Sequence, residues 1–161
     1  MFLNQKFDEL IETCYSIIKE YPENPDPYNF LYLIYEERGE EKKAADFLLI
    51  KTKLSKNNDI TVWMNLVDRY LKINDLISVD YCLMRCLKFE PNNEFFLLQK
   101  AETLEKLKKF NKSLSYYEKL IEIDPFNYEI VKKLGRLFLV LNKEEKALFV
   151  FLKYIENGKF L

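Results

Sequence analysis

The side chains of this chain that could do metal or redox chemistry are three cysteines, because the sequence contains no histidine. Cys82 and Cys86 are four residues apart, so on a helix they would share a face and could supply half of a metal site. There is no second pair, since Cys14 lies far from both in the sequence. We therefore interpret the thiols as core residues and predict no metal site.

Catalysis and cofactor binding are not indicated by the remaining polar residues. Without histidine, general acid–base chemistry would fall to carboxylates, and these are spread along the chain as helix surface charges. The sequence has no Gly-rich phosphate loop and no nucleophile elbow. The tyrosine pairs Tyr32–Tyr35 and Tyr116–Tyr117 are spaced as helix core and surface residues are. We predict a chain with no catalytic residue, no cofactor and no enzymatic activity.

The amino-acid composition limits the kind of partner that the protein can bind and the cell compartment in which it can work. Lys and Arg number 25 against 26 Asp and Glu, and this balance gives no electrostatic case for direct binding of nucleic acid. Aromatic residues make up 16% of the chain and glycines number 3, which favours packed helices over disorder. No apolar run approaches ~18 residues, and the first residues, MFLNQKFDELIE, lack the apolar core of a signal peptide. These features predict a cytosolic or nuclear protein.

The elements that carry these side chains repeat with a period of 34 residues, lengthened once to 35. One set of landmarks with this spacing is Leu10, Ala44, Val79, Ser113 and Ala147. A second set, four positions later, is Cys14, Leu48, Leu83, Tyr117 and Phe151. A third set in phase with them is Tyr35, Tyr70, Leu104 and Phe138, and Pro91 and Pro125 are also 34 apart. A period of 34 with this residue order is typical of tetratricopeptide repeats.

This resemblance predicts the architecture. The expected fold is all-α, a right-handed tetratricopeptide superhelix (an α-solenoid) of about four and a half helical hairpins. We expect a single domain over 1–161, made of a half repeat at 1–22 and repeats at 25–58, 60–93, 94–127 and 128–161. Within them the helical hairpins should occupy about 26–54, 60–88, 94–123 and 128–157.

Local signals predict where the helices start, turn and pack. Pro22, Pro25 and Pro27 should end the helix at 7–20 and start the next one. The turns inside the hairpins are expected at Arg38-Gly39, Asn74-Asp75, Lys109 to Asn111, and Asn142-Lys143. Asn142 and Glu145 resemble a capping box that starts the last helix. Gly135 should allow a neighbouring helix to approach closely, and the first helix should bury one stripe made of Phe7, Leu10, Ile11, Cys14, Ile17 and Ile18.

The last predicted helix is apolar through ALFVFL at 147–152, where a terminal repeat normally carries a polar cap. This indicates that the chain continues, or that it docks another element there. The alternative is local capping by the terminal sequences MFLN and GKFL.

In a tetratricopeptide array the first helix of each hairpin lines a concave groove, so the resemblance implies a partner-binding site. Its predicted residues are Asn29, Phe30, Leu33, Glu37, Met64, Asn65, Asp68, Phe95, Leu98, Gln99, Glu102, Glu105, Lys132, Lys133 and Arg136. The set is acidic and apolar over three repeats and turns basic in the last, which predicts a bound peptide or helix with basic and apolar residues. The alternatives are a solvated charged face and, for the apolar members, packing against a neighbouring helix.

Groove residues argue against one known role of such arrays. Co-chaperone repeats that grip the acidic tails of Hsp90 or Hsp70 use Lys, Asn, Asn, Lys and Arg. The corresponding positions here are Asn29, Leu33, Asn65, Phe95 and Gln99, of which only Asn65 has the required type. Carboxylates surround the site, so a carboxylate ligand is disfavoured.

The order of residues from Ile17 to Leu104 resembles one family in particular, the tetratricopeptide subunit of RNA polymerase III transcription factor IIIC. The hairpin sequence PDPYNFLYLIYEERGEEKKAADFLLI and the Trp-led repeat at 62–93 carry the likeness. Its most specific residues are Cys82, Arg85, Leu87, Lys88, Phe89, Glu90 and Pro91. Lys51 and Val79 depart from the family's small residues, and the family's subunit is much longer.

The resemblance implies a nuclear scaffold that recruits factor IIIB and contacts other factor IIIC subunits, while sister subunits touch DNA. Two alternatives remain open. The chain could serve another assembly, such as a chaperone, RNA-processing or cell-cycle complex, with a cytoplasmic location. It could also be the regulatory domain of a larger enzyme.

Overall fold

The protein is described by a computed structural model that covers residues 2–55 and 59–158, with side chains over 6–55 and 59–156. All regular structure in these ranges is α-helical, as predicted. The helices are α1 Phe2–Glu20, α2 Pro25–Glu37, α3 Glu41–Leu54, α4 Ile60–Lys72, α5 Leu76–Phe89, α6 Glu94–Lys106, α7 Phe110–Ile123, α8 Tyr128–Val140 and α9 Glu144–Gly158. The predicted hairpin bounds differ from these by at most one residue, whereas α1 begins five residues earlier than expected.

A side-chain cap starts each of the four first helices, α2, α4, α6 and α8. The capping residues are Asn24, Asp59, Asn93 and Asn127. Each side-chain oxygen accepts a hydrogen bond from a backbone N–H in the first turn, where the helix itself offers no acceptor. Their spacings of 35, 34 and 34 residues reproduce the repeat register, and Pro25 occupies the first turn of α2 as predicted.

The same four helices end in turns of one type, the Schellman motif. Gly39, Asn74, Lys108 and Asn142 have positive φ values of 71°, 56°, 58° and 55°. After α8, the N–H of Lys143 bonds to the Phe138 carbonyl, and that of Asn142 bonds to the Leu139 carbonyl. In each of the four motifs, the carbonyl that accepts the bond from five residues later belongs to the third landmark set, Tyr35, Tyr70, Leu104 and Phe138.

This geometry corrects two local predictions. Asn142 is not an N-cap, because its left-handed backbone belongs to the end of α8 and differs from the extended backbone of a capping residue. The third turn lies at 107–109 and α7 begins at Phe110, so the prediction of Lys109 to Asn111 was two residues late. Lys108 adopts the left-handed conformation without glycine or asparagine, which removed the usual turn signal.

The chain divides into two compact units, Met1–Ser78 and Val79–Leu161. In unit 1 the core brings together Cys14 of α1, Leu31 and Tyr35 of α2, and Ala44 of α3. Leu10 and Ile17 of α1 are exposed, so the predicted six-residue stripe was too wide. The buried part of α1 is the narrower line through Ile11, Cys14 and Ile18, which contacts this core.

Unit 2 has its own core, formed by α6, α7, α8 and α9. It contains Leu97, Ala101, Leu114, Tyr117, Leu120, Ile130, Leu134, Leu137, Phe138 and Ala147. The landmark Ser113 is fully buried, and its hydroxyl donates to the Ala101 carbonyl at 2.8 Å, which satisfies a polar group inside the core. A Cβ at Gly135 would lie 2.2 Å from the Phe151 ring, which confirms the predicted close approach of α9.

The alternative prediction, that MFLN and GKFL cap the two ends of the array locally, concerns side chains outside the described residues. Of these two segments the structure describes only the backbone from Phe2 and the last residue of α9. Within the described part of α9, Leu148, Phe149, Leu152 and Ile155 are exposed.

Candidate functional site

The predicted groove residues lie on the four first helices, seven in unit 1 and eight in unit 2. We call the solvent-facing side chains of α2 and α4 the first-helix face of unit 1, and those of α6 and α8 the first-helix face of unit 2. In unit 1 the exposed members are Phe30, Leu33, Glu37, Met64, Asn65 and Asp68, and Asn29 is half-buried. In unit 2, Phe95, Lys132 and Arg136 are exposed, and Leu98, Gln99, Glu102, Glu105 and Lys133 are half-buried.

Arg69 of α4 organises the first-helix face of unit 1. Its guanidinium forms an ion pair with Glu36 of α2 and lies 3.6 Å from the Glu41 carboxylate. The same group donates to the Asn65 amide oxygen at 2.7 Å and stands over the Tyr32 ring at 5.5 Å. Because one planar cation contacts groups on α2, α3 and α4, it fixes Asn65 and ties together the helices that present this face.

The charge of Glu36 is stabilised by these contacts. A hydrogen bond with the Tyr32 hydroxyl, followed by the bond to Arg69, lowers the pKa of the Glu36 carboxyl against the opposing effect of burial. The charges of Glu36 and Arg69 therefore balance each other, whereas Glu37 and Asp68 add exposed negative charge to the face.

Two ion pairs cross the first-helix face of unit 2. Lys133 of α8 pairs with Glu102 of α6, and Arg136 Nη2 lies 2.7 Å from Glu105 Oε1. Both pairs join residues 31 apart, so each base on α8 meets the acid on the preceding first helix. The side chains of Glu102 and Lys133 are about one-third exposed, so this pair is shielded in part from water.

The side chains of these pairs help to line an open cavity of about 680 Å³ in unit 2. Its lining consists of Glu102, Glu105, Lys106, Lys108, Phe110, Tyr117, Lys133, Arg136 and Val140. The Tyr117 ring is fully buried, and its hydroxyl donates to Glu105 Oε2 at 3.1 Å. Burial, followed by the negative charge of Glu105, raises the pKa of Tyr117, so the phenol stays a neutral donor at the cavity floor.

This arrangement corrects the predicted polarity of the face. The sequence suggested an acidic surface through Glu102 and Glu105, followed by a separate basic repeat. The structure places Lys133 and Arg136 directly against those carboxylates, so the charges alternate across the face and compensate each other locally. Along the sequence the acidic and basic residues lie in separate blocks. The packing of α8 beside α6 nevertheless brings residues 31 apart into contact.

The remaining predicted residues differ in what they contact. Leu98 packs in part against the core of unit 2. For this residue the structure agrees with the alternative that an apolar member of the set packs against a neighbouring helix. Phe95 is mostly exposed and its ring meets that of Phe96 edge-on at 5.8 Å, so it presents an aromatic surface. Lys132 lies 3.9 Å from Glu129 on its own helix, an exposed pair of little energetic weight.

Sequence reasoning missed Arg69 and Tyr117 as members of these faces. Arg69 follows Asn65 by four residues and Glu36 by 33, so the repeat period itself could have indicated the contact. Tyr117 appeared only as a core landmark, although its hydroxyl reaches the face from α7 through the hydrogen bond to Glu105.

The thiols are core residues, as predicted. Cys14, Cys82 and Cys86 are all buried. Burial raises the pKa of Cys86 to about 11, which keeps that thiol protonated. Over the described residues, no cluster of three or more His, Cys, Asp or Glu has the arrangement of a metal site. Nor does any helix in those ranges have both the length and the apolar character required to cross a membrane.

Comparison with known proteins identifies the repeat. The tetratricopeptide repeat model matches residues 96–127, which are α6, α7 and the turn that follows. The solved structure of YrrB, described as a TPR protein with an unusual peptide-binding site, superposes with a TM-score of 0.57 at 16% identity, covering 94% of this chain and 78% of that one. The prediction of an all-α tetratricopeptide fold is confirmed.

Two relatives extend over most of the chain. General transcription factor 3C polypeptide 3 of Homo sapiens is 26% identical over 136 residues, which are 84% of this chain and 15% of the relative. A TPR repeat-containing protein of Methanocaldococcus jannaschii is 30% identical over 154 residues, 90% of this chain and 46% of the relative. The chain thus spans less than half the length of either one. These likenesses support a tetratricopeptide scaffold for protein–protein interaction.

Proposed function

We propose that this chain, which is built from tetratricopeptide repeats, is a non-catalytic scaffold of transcription factor IIIC that recruits factor IIIB for RNA polymerase III. The observation that carries the proposal is its 26% identity over 136 residues to the human factor 3C polypeptide 3. The motif from Cys82 to Pro91 belongs to the same likeness and is where the sequence most resembles the factor IIIC subunit. A role in this factor places the chain in the nucleus.

The two first-helix faces are the proposed partner surfaces. In unit 1, Phe30, Leu33 and Met64 stand exposed beside the carboxylates of Glu37 and Asp68. Large apolar side chains flanked by negative charge suit a segment that carries both apolar anchors and Lys or Arg. In unit 2, Phe95 provides the apolar anchor, and the alternating ion pairs require a partner segment with charges of both signs.

The proposal is tested by purifying the tagged chain from its native cells and identifying the bound proteins by mass spectrometry. We expect factor IIIC and factor IIIB subunits to be recovered together. The double variant Phe30→Ser/Met64→Ser should lose factor IIIB at least in part, because it removes two exposed anchors without opening the core. Tyr21→Ser is the matched control, since Tyr21 is also an exposed aromatic residue but lies in the turn before α2.

Other outcomes would replace the proposal. Recovery of chaperones or of an RNA-processing complex in place of factor IIIC would assign the scaffold to another assembly. Equal recovery of factor IIIB by the wild type and by Phe30→Ser/Met64→Ser would show that the first-helix face of unit 1 is not the binding surface.

A further inference from the structure

One side of α9 carries a line of exposed apolar side chains. We call Leu148, Leu152 and Ile155 the α9 stripe; they follow one another at four and three residues and so lie on one helix face. Leu148 is 59% exposed and Ile155 is 52% exposed. This stripe is separate from the first-helix faces, which are formed by other helices.

The equivalent positions one repeat earlier show what kind of element covers such a stripe. Leu148 corresponds to Leu114 of α7, which is only 6% exposed, and Ile155 corresponds to Ile121, which is half-buried. Leu114 and Ile121 belong to the core of unit 2, in which α8 packs against α7. Two of the three stripe positions are therefore buried or half-buried in α7 and exposed in α9, whereas Leu152 takes the place of the exposed Glu118.

The charges around the α9 stripe indicate the chemistry of the covering helix. Glu144 and Glu145 lie one turn before Leu148, and Glu156 lies one turn after Leu152. All three side chains are exposed. On α7 the matching positions hold Phe110, Asn111 and Glu122, so α9 shares the last carboxylate and adds two at the start of the helix.

The same charges argue against a second copy of this chain as the occupant. In a two-fold symmetric pairing, α9 of one copy would meet α9 of the other. An antiparallel pair would bring Glu144 and Glu145 against Glu156, and a parallel pair would align each glutamate with itself. Like charges would meet in both orientations, which is unfavourable.

We propose that the α9 stripe binds one amphipathic helix of a partner protein that carries Lys or Arg on both sides of its apolar face. This is a second interaction surface, and it does not depend on the role of the first-helix faces or on the identity of the assembly. The helix would bury the side chains of the α9 stripe, and its cations would pair with the bordering glutamates.

The test uses the full chain and two synthetic amphipathic peptides of about 18 residues, long enough to form a helix. They share one Leu/Ile face and carry either Lys or Glu at its borders. Fluorescence anisotropy should show the Lys peptide binding about tenfold or more tightly than the Glu peptide, and Leu148→Ser/Leu152→Ser should lower its affinity by about tenfold. Glu145→Lys/Glu156→Lys should reverse the preference between the peptides.

Ile77→Ser is the matched control, because Ile77 is a strongly exposed apolar residue on α5 and should leave the affinity unchanged. Circular dichroism establishes that each variant is folded. Absence of binding by both peptides, or binding that ignores the α9 substitutions, would overturn the proposal. A wild-type dimer that Leu148→Ser/Leu152→Ser dissociates in sedimentation would also overturn it, since a second copy would then be the occupant.

Discussion

Gly135 and Phe151 show how single residues set the separation of helices in this protein. Gly135 lies in the middle of α8, where a glycine normally costs helix stability relative to alanine. The added methyl group of an alanine would meet three atoms of the Phe151 ring within 2.8 Å. Glycine is therefore required by the neighbouring ring and not by the backbone of α8.

We predict that Gly135→Ala lowers the stability of unit 2 by up to about 2 kcal/mol. The steric cost of overpacking, typically about 1–3 kcal/mol, should exceed the roughly 1 kcal/mol gained in helix propensity. Urea unfolding followed by circular dichroism measures the change. Adding Phe151→Leu should restore part of the loss by making room, and an increase in stability for Gly135→Ala alone would contradict the packing described here.

Cys86 provides a prediction that depends on pH. Burial raises the pKa of its thiol from 9.0 to about 11, so at pH 9 the folded chain keeps Cys86 protonated while about half of the unfolded chains ionise it. Alkylation by iodoacetamide at pH 9, read by mass spectrometry, should be much slower in the folded chain than in denaturant. The linked stability contribution is present below pH 9 and is lost as the pH rises toward 11. Equal alkylation rates would show that Cys86 is accessible.

At the scale of elements, each first helix begins with a side-chain cap and ends in a Schellman motif, both in the same register. Gly39 and Lys108 occupy equivalent left-handed positions, at φ values of 71° and 58°. A Cβ added at Gly39 would have no atom within 4 Å, so a substitution there changes backbone strain alone. The two residues therefore form a matched pair for measuring that strain.

We predict that Gly39→Ala lowers stability by about 1 kcal/mol and that Lys108→Gly raises it by a similar amount. The left-handed conformation costs a side-chain-bearing residue roughly 1–2 kcal/mol, and glycine does not incur this cost. Thermal unfolding of the two single variants gives opposite shifts in Tm if this is correct. A shift of the same sign in both would mean that contacts beyond the turn decide their effect.

The helices were predictable because three sets of landmark residues repeat with the same period. The start or end of a helix can therefore be located from any one of the three sets. The third turn was misplaced because a lysine such as Lys108 gives no signal of a left-handed backbone. The capping box was misplaced because an asparagine such as Asn142 is common both as an N-cap and at the left-handed end of a helix. The site was less predictable for another reason. Which charges meet depends on the stacking of first helices, so the pairing of Glu102 with Lys133 could not be inferred from charge blocks along the chain.

At the scale of the whole molecule, each of the two units presents an interaction surface of its own. Each unit buries its own core and leaves a first-helix face with apolar anchors and ordered ion pairs. Replacing Glu102 or Glu105 alone with a basic residue would place a positive charge against Lys133 or Arg136. A binding defect in such a variant could come from disturbed packing, so both members of each pair must be exchanged together.

The measurement that tests the central claim most directly is the affinity of the purified chain for factor IIIB, determined by isothermal titration calorimetry. The compared variant is Glu102→Lys/Lys133→Glu/Glu105→Arg/Arg136→Glu, which keeps each ion pair but reverses its direction across the face. We predict that the wild type binds and that this variant binds about tenfold or more weakly, with unchanged helicity and Tm. Equal affinities, or no binding by the wild type, would contradict the account.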